Sequence, residues 1–464
     1  MSCFLLALGT IQTLGPLGGA ERIIPKMSHF DILSLLKLMI RFLVLVLVGH
    51  ALILRRRDPF FRTYFLHLLP FFGFASWGFL TSFWSPLPFY SGGHAMDFLL
   101  LVMFGLLTAV LVANEIELSQ VFFVLCLNHF SYLLILFVLF LLFPDSATIL
   151  RSEIDTEKVL FTTNSVSSFI VNPAEIASVA SLGVILIVAA RHFWGWPWVT
   201  YLLLPSLILE IVILFLTQTR SMIILAFLLS AAILFLAGKR KILWYAFFLT
   251  VVFLSAWMIG EPEHGRTNFL QDYLLRGQSQ EQLTRLSGRL DTWTVVYDNL
   301  SQNELALFFG FGYSMATRTG MKMHEGEMKR YTAHNIFLHV LSGTGIVGLS
   351  LFFWGFFHLT AVFYSGWKKF SDRRSIYLTL LIFCFIFLMG MVSDSIVGPI
   401  SVTYVSIFVV LGAGLASSIR PPGVQDMAPA GPFSEPFPRR RSGGLEMDGL
   451  GGQAARPAGW ARDR

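Results

Sequence analysis

Charge is scarce in this chain: only 13% of its 464 residues are Asp, Glu, Lys or Arg, where soluble proteins run near ~25%. That scarcity excludes a water-soluble fold, because 55% of the residues are hydrophobic and no soluble domain could hide them all. Cysteine is scarcer still. Cys3, Cys126 and Cys384 all lie in apolar runs, with no CxxC or zinc-like spacing. A disulfide framework and a metal centre are therefore not expected, and the three thiols read as small apolar residues. The net charge of +6 comes from Lys and Arg gathered in short loops, so membrane topology accounts for it and nucleic acid is not implied as a partner.

What the sequence has instead is apolar blocks long enough to cross ~30 Å of hydrocarbon, which takes about 20 helical residues. They fall near 32–54, 64–84, 97–113, 119–143, 174–190, 198–217, 221–237, 242–259, 335–363, 376–394 and 396–418. The expected fold is all-α: a polytopic transmembrane helical protein of 11–12 spans with one large, partly helical outer loop. One set of loops carries Arg55, Arg56, Arg57, Arg62, Arg191, Lys239, Arg240, Lys241, Lys368, Lys369, Arg373 and Arg374. The opposite set carries only Arg151 and Lys158 outside the long loop, so the first set is cytoplasmic.

The chain divides into an N-terminal segment, 1–30, transmembrane helices over 31–259, an outer loop over 260–334, further transmembrane helices over 335–419, and a tail over 420–464. Residues 1–30 read either as a twelfth span or as sequence preceding a start at Met27; no basic stretch precedes the apolar run as a signal peptide requires. The tail is rich in Pro, Gly and Arg and is expected to be a disordered cytoplasmic extension. Parity of the spans puts the long loop on the face away from the cytoplasm. Within it Leu286, Leu290, Trp293 and Tyr297 recur at helical spacing, and Ser287 stands where an N-cap would. A second helix is expected over Leu270, Tyr273 and Leu274.

Three places join polar residues to the outer face. In Thr217-Gln218-Thr219-Arg220-Ser221, Arg220 is either an interfacial cation reaching for water or an anion-binding guanidinium. Ser287-Gly288-Arg289 opens a helix, where free N–H groups and an adjacent guanidinium suit a phosphate; a solvated Arg on a capped surface helix is the plainer reading. Ala333-His334-Asn335 marks the return to the membrane, with Gly343, Gly345 and Gly348 following as residues that let helices approach closely. His334 is either a general base near neutral pH or an imidazole bonded to a loop carbonyl. Topology puts Arg220, Arg289 and His334 on one face. Together they suit a substrate with a phosphate or pyrophosphate and a hydroxyl to be deprotonated, such as a lipid-linked sugar.

The string SGRLDTW, then GFGYS at 310–314 and AHNIFLHVLSGTGIVGL at 333–349, resembles the hallmark region of the bacterial O-antigen ligase/polymerase family. LTQTRSM at 216–222 is similar to that family's Arg-containing segment, FWSPLP at 83–88 to its early outer loop, and VNPAE at 171–175 more loosely to a further segment. The resemblance implies a glycosyltransferase of the bacterial inner membrane that works on its periplasmic side. Its donor would be a glycan on undecaprenyl pyrophosphate, its acceptor a glycan, lipid A–core or protein, and its setting the membrane lipid. It further implies that Arg220 and Arg289 bind the donor pyrophosphate, that His334 activates or positions the acceptor hydroxyl, and that Ser287, Gly288 and Asn335 support them. No cofactor and no metal is called for. Asn172 and Glu175 receive no role, and His94, in the outer loop SGGHAMD, stays a structural or acceptor-side candidate. A transporter or flippase of lipid-linked glycan is the rival reading. It would use Glu210, in mid-span, or the intramembrane Lys37 and Arg41.

Overall fold

The computed structural model describes residues 32–142, 148–150, 158–160, 173–195, 198–217, 219–242, 244, 289–314, 321–322, 328–329, 335–369, 373–392 and 401–419. The expected N-terminal segment, the span at 242–259, the helix around Leu270 and the tail lie outside them almost entirely. Among the described residues the apolar blocks become helices: α1 (Ile32–Leu54), α2 (Pro59–Thr81), α3 (Pro88–Asn114), α4 (Leu118–Leu142), α5 (Pro173–Ala189), α6 (Trp198–Leu216) and α7 (Arg220–Leu236). Two short helices follow, α8 (Arg289–Ser301) and α9 (Glu304–Phe309). Then come α10 (Ile336–Lys369), α11 (Arg374–Val392) and α12 (Val402–Ile419). Seven of these are long and apolar enough to cross a membrane, and α1, α6 and α7 contribute shorter apolar stretches. The protein is an all-α polytopic membrane protein.

Two small antiparallel hairpins interrupt the helices: β1 (Thr148–Leu150) with β2 (Lys158–Leu160), and β3 (Met321–Lys322) with β4 (Met328–Lys329). They sit in loops and leave the helical class unchanged.

The helices differ in how much lipid they face. On α1 a stripe of Val44, Val48 and Leu52 is buried, while Phe42, Leu43, Val46 and Leu47 are exposed, as a peripheral span in hydrocarbon requires. The helix α12 is buried almost all round, and α3 and α5 nearly so. Small residues allow this. Gly105 of α3 and Gly412 of α12 meet backbone to backbone, and Gly366 of α10 rests on Ser418. Polar residues then tie the centre. His129 of α4 donates from Nδ1 to the Val179 carbonyl at 2.9 Å, and its Nε2 lies 2.9 Å from the Ser406 hydroxyl, joining α4, α5 and α12.

Contacts between helix ends fix which termini share a face. On one face Arg55 grips Glu115 with two nitrogens at 2.8–3.0 Å, and Asn114 donates to Asp58 at 2.6 Å, linking the α1–α2 and α3–α4 turns. The α1–α2 turn holds Arg55, Arg56 and Arg57 of the basic residues counted above. Asp58 also caps α2 by accepting from the Phe60 amide.

A crossing that depends on absent side chains can be tested. A Cβ at Gly412 would drive into the Gly105 carbonyl, whereas one at Gly93 meets nothing within 4 Å. Gly412→Val should destabilise the detergent-solubilised protein by about 1–3 kcal/mol, and Gly93→Ala should be neutral or slightly stabilising. Thermal unfolding of the two variants beside the parent checks both.

Candidate functional site

One end of the bundle is organised by three loops that lock into one another. The first is the turn after α2, where Ser82–Trp84 form one 3-10 turn before α3 begins at Pro88. The second is the GFGYS segment, 310–314. The third is an opening inside α10, where Gly345 leaves helical geometry with φ 67°. An opened helix exposes carbonyls that no water reaches within a membrane, so protein donors must satisfy them. The amide of Phe311 donates to the Ser342 carbonyl at 2.8 Å, and that of Gly312 to Gly343 at 3.0 Å. The indole of Trp77 donates to the Thr344 carbonyl at 2.8 Å, and Trp84 donates to Gly310 at 3.1 Å.

The far side of GFGYS is held equally firmly. The Tyr313 amide donates to the Thr81 hydroxyl at 3.0 Å, and the Ser91 hydroxyl donates to the Tyr313 carbonyl at 2.6 Å. Ser85 lies 3.0 Å from Ser91 and accepts from the Leu87 amide. Glycine is needed where backbones touch. At Gly310, φ is 77° and a Cβ would enter the Gly343 carbonyl; at Gly345 it would enter that of Phe308. Ser314, with φ 58°, is the non-glycine residue held in the left-handed region among the described residues.

Beneath this lock lies a buried charge group. Asp97 of α3 is 1% exposed and pairs with Arg41 of α1 at 3.2 Å, with His94 Nδ1 at 3.5 Å. Tyr90 packs edge-on against His94 at 4.3 Å between ring centres. Tyr313 closes the group from above. Burial first, and the Asp97 carboxylate second, push its phenol well above the ordinary tyrosine range, so it stays protonated.

The sequence-derived site residues fall around this frame. Asn335 caps α10, its side chain accepting from the amides of Phe337 at 2.9 Å and Leu338 at 3.2 Å. Residue 334 therefore immediately precedes a fixed helix start. Arg220 is the first residue of α7, after the N-cap Thr219, and its side chain is partly exposed. Arg289 is the first residue of α8. His334, Ser287 and Gly288 lie outside the described residues, as do Gln218 and Asn172.

The helix ends that carry these positions share a face. The Ser181 hydroxyl donates to the Met222 carbonyl at 3.2 Å, setting the N-terminal parts of α5 and α7 side by side. The C-terminal ends of α5 and α7 meet the N-terminus of α11 around one cavity at the opposite face. The C-terminus of α11 consequently belongs with the N-termini of α5 and α7, and there Gly390 touches Ile336, the first residue of α10. The α8–α9 pair joins the same end, with Val296, Leu300 and Ala306 packing against Leu341 of α10.

Two expectations need correction. His94 does not sit in a loop: α3 starts at Pro88, and His94 is buried in its second turn. Gly343 admits the GFGYS backbone, whereas Gly345, against the end of α9, and Gly348, against Trp77, allow close helix approach as expected. The helix α8 buries Val296 and Leu300 and leaves Leu290 and Tyr297 exposed. Asp97 was missed because its partner Arg41 is far away in sequence; a lone Asp and a lone Arg at like depth in two spans was the available signal.

The fold and this frame define a class, a multi-pass helical membrane protein with a loop locked into an opened helix. Residues 205–353 match the model of the O-antigen ligase family, a stretch that runs from within α6 into α10 and contains Arg220, Arg289, GFGYS and His334. The match ties the chain to O-antigen-ligase-type function in surface-polysaccharide synthesis. No curated protein matches the chain.

The buried pair makes a prediction. Asp97→Ala leaves Arg41 uncompensated and should cost about 3–5 kcal/mol of stability, whereas Arg41→Met with Asp97→Leu should recover most of it. Thermal unfolding of the single and double variants measures the coupling, and a neutral single variant would remove the pair from this frame.

Proposed function

We propose that the protein is a membrane glycosyltransferase that ligates or polymerises undecaprenyl-pyrophosphate-linked glycan on the periplasmic side of the inner membrane. One observation carries the reading. Arg220 opens α7 after its N-cap Thr219 and Asn335, next to His334 in sequence, caps α10, and both lie with Arg289 in the stretch matched to the O-antigen ligase family. Helix N-termini offer free amides and the positive end of the helix dipole, which a pyrophosphate complements.

In this mechanism Arg220 and Arg289 grip the donor pyrophosphate while its polyprenyl tail stays among the lipid-facing helices. The acceptor hydroxyl oxygen attacks the anomeric carbon of the donor sugar. The bond from that carbon to the pyrophosphate oxygen breaks, and the electron pair leaves with the undecaprenyl pyrophosphate. His334 takes the hydroxyl proton, or holds the hydroxyl in line for attack. The two guanidinium groups stabilise the charge that builds on the leaving oxygen. Binding of the long lipid carrier supplies the alignment of carbon and oxygen. The GFGYS lock keeps the start of α10, and with it position 334, in register with the outer helix ends. The acceptor (glycan, lipid A–core or protein) is chosen by whichever surface faces His334.

The transporter reading loses its two most distinctive residues. Arg41 is paired with Asp97, and Glu210 is fully buried, accepts from Ser206 at 3.2 Å and rests on Gly183. Both are packed against neighbouring helices.

His334→Ala should lower transfer by about 10²–10⁴-fold, and Arg289→Ala by about 10²–10³-fold, with expression and membrane insertion unchanged. Purified protein supplied with lipid-linked donor and acceptor gives the measurement; full activity in both variants would sink the mechanism. A gel of surface glycan from a deletion strain separates the two chemistries. Single-repeat glycan on lipid A marks a polymerase, and loss of all attached glycan marks a ligase.

A further inference from the structure

The opposite face holds a cavity of about 580 Å³ that the transfer reaction does not use. Three elements build it. The five-residue π-turn that ends α5, Ala190–Trp194, contributes His192 and Phe193; the C-terminus of α7 contributes Leu236 and Ala237; α11 contributes Arg373, Arg374 and Tyr377. Short π-turns of this kind recur at functional sites.

Its lining is cationic on one side and apolar on the other. Two guanidinium groups and an imidazole meet Phe193, Leu236 and Ala237, with no acidic side chain in the lining. Arg191, Lys239, Arg240 and Lys241 follow directly on the same turns, so the local field is strongly positive. Arg373 lies with Cζ 5.3 Å from the Trp367 ring centre, which orients its planar group beside the cavity. The apolar side reaches lipid: Leu236 is 41% exposed and its neighbour Phe235 54%, both on the hydrocarbon-facing side of α7.

We propose that this cavity binds the phosphate headgroup of an anionic phospholipid from the leaflet on the basic, cytoplasmic side. The phosphate sits between Arg373, Arg374 and His192, and an acyl chain runs along Leu236 and Phe235. Basic pockets between helices at this level of a membrane select such headgroups, and guanidinium forks grip phosphate in two-point fashion. A soluble phosphate shares the headgroup chemistry but gains nothing from the apolar outlet, which is why a lipid is the better fit. The site does not depend on the transfer reaction and is read without it.

The test uses full-length protein in nanodiscs of equal phosphatidylglycerol and phosphatidylcholine, with retained lipid read by native mass spectrometry after release into mild detergent. Phosphatidylglycerol should be retained over phosphatidylcholine. Arg373→Gln with Arg374→Gln should lower that retention about tenfold or more. Lys239→Gln with Lys241→Gln, which removes equal charge outside the lining, should change it less than about twofold. Leu236→Trp narrows the lipid outlet without altering charge and should lower retention comparably; it stands as the test should the arginine variant not fold. Equal retention of the two lipids, or equal losses in the two charge variants, would overturn the site. Displacement of phosphatidylglycerol by millimolar inorganic phosphate, with phosphate bound in its place, would overturn the lipid assignment.

Discussion

A backbone opened inside a membrane must find its hydrogen-bond partners within the protein, and the outer half of this molecule follows from that constraint. The opening in α10 at Gly345 would leave carbonyls bare where water is absent. The GFGYS segment answers with the amides of Phe311 and Gly312, and Trp77 covers the Thr344 carbonyl. In return the loop is clamped by Thr81, Trp84 and Ser91. The loop without the opened helix lacks acceptors, and the helix without the loop lacks donors.

The same logic governs charge. Asp97, Arg41 and His94 would each be costly at their depth, but together they convert the cost into a tie between α1 and α3 directly below Tyr313. Apolar substitutes would hold α1 as well, so the group is not needed for stability as such. Its effect is specificity of register: α1 is a peripheral span whose lipid-facing residues impose no preferred rotation, and Arg41 selects one. Glu210 is kept differently, by Ser206 on its own helix and by the bare backbone of Gly183 that leaves room for its carboxyl.

The spans were legible because a membrane demands one property over about 20 residues, and that property is written locally. All of the proposed blocks that fall within the described residues became helices, their ends shifted by up to nine positions, as at Pro88. What was hidden depends on partners distant in sequence. SGGHAMD reads as a loop since Ser and His are polar, yet Ser91 and His94 are buried in α3 because Tyr313 and Asp97 await them. Of the site, the helix start at 220 was readable from the motif that opens it. The lock that positions Asn335 was not, since it joins residues 77–91, 310–314 and 342–345 through backbone atoms that no side-chain pattern records.

Helix polarity carries the argument one step further. A cation at a helix N-terminus stands against the dipole and costs roughly 0.3–1 kcal/mol when nothing offsets it. Most cations here obey the rule: Lys368 and Lys369 end α10, and the α1–α2 basic turn follows the C-terminus of α1. Arg220 and Arg374 break it, each being the first residue of its helix. An anion placed between guanidinium and free amides turns the opposition into attraction, since both then face negative charge. In the proposed transfer the start of α7 would meet this condition with the donor pyrophosphate, and in the proposed lipid site the start of α11 would meet it with a headgroup phosphate. One electrostatic exception thus recurs at both ends of the bundle, at Arg220 and at Arg374.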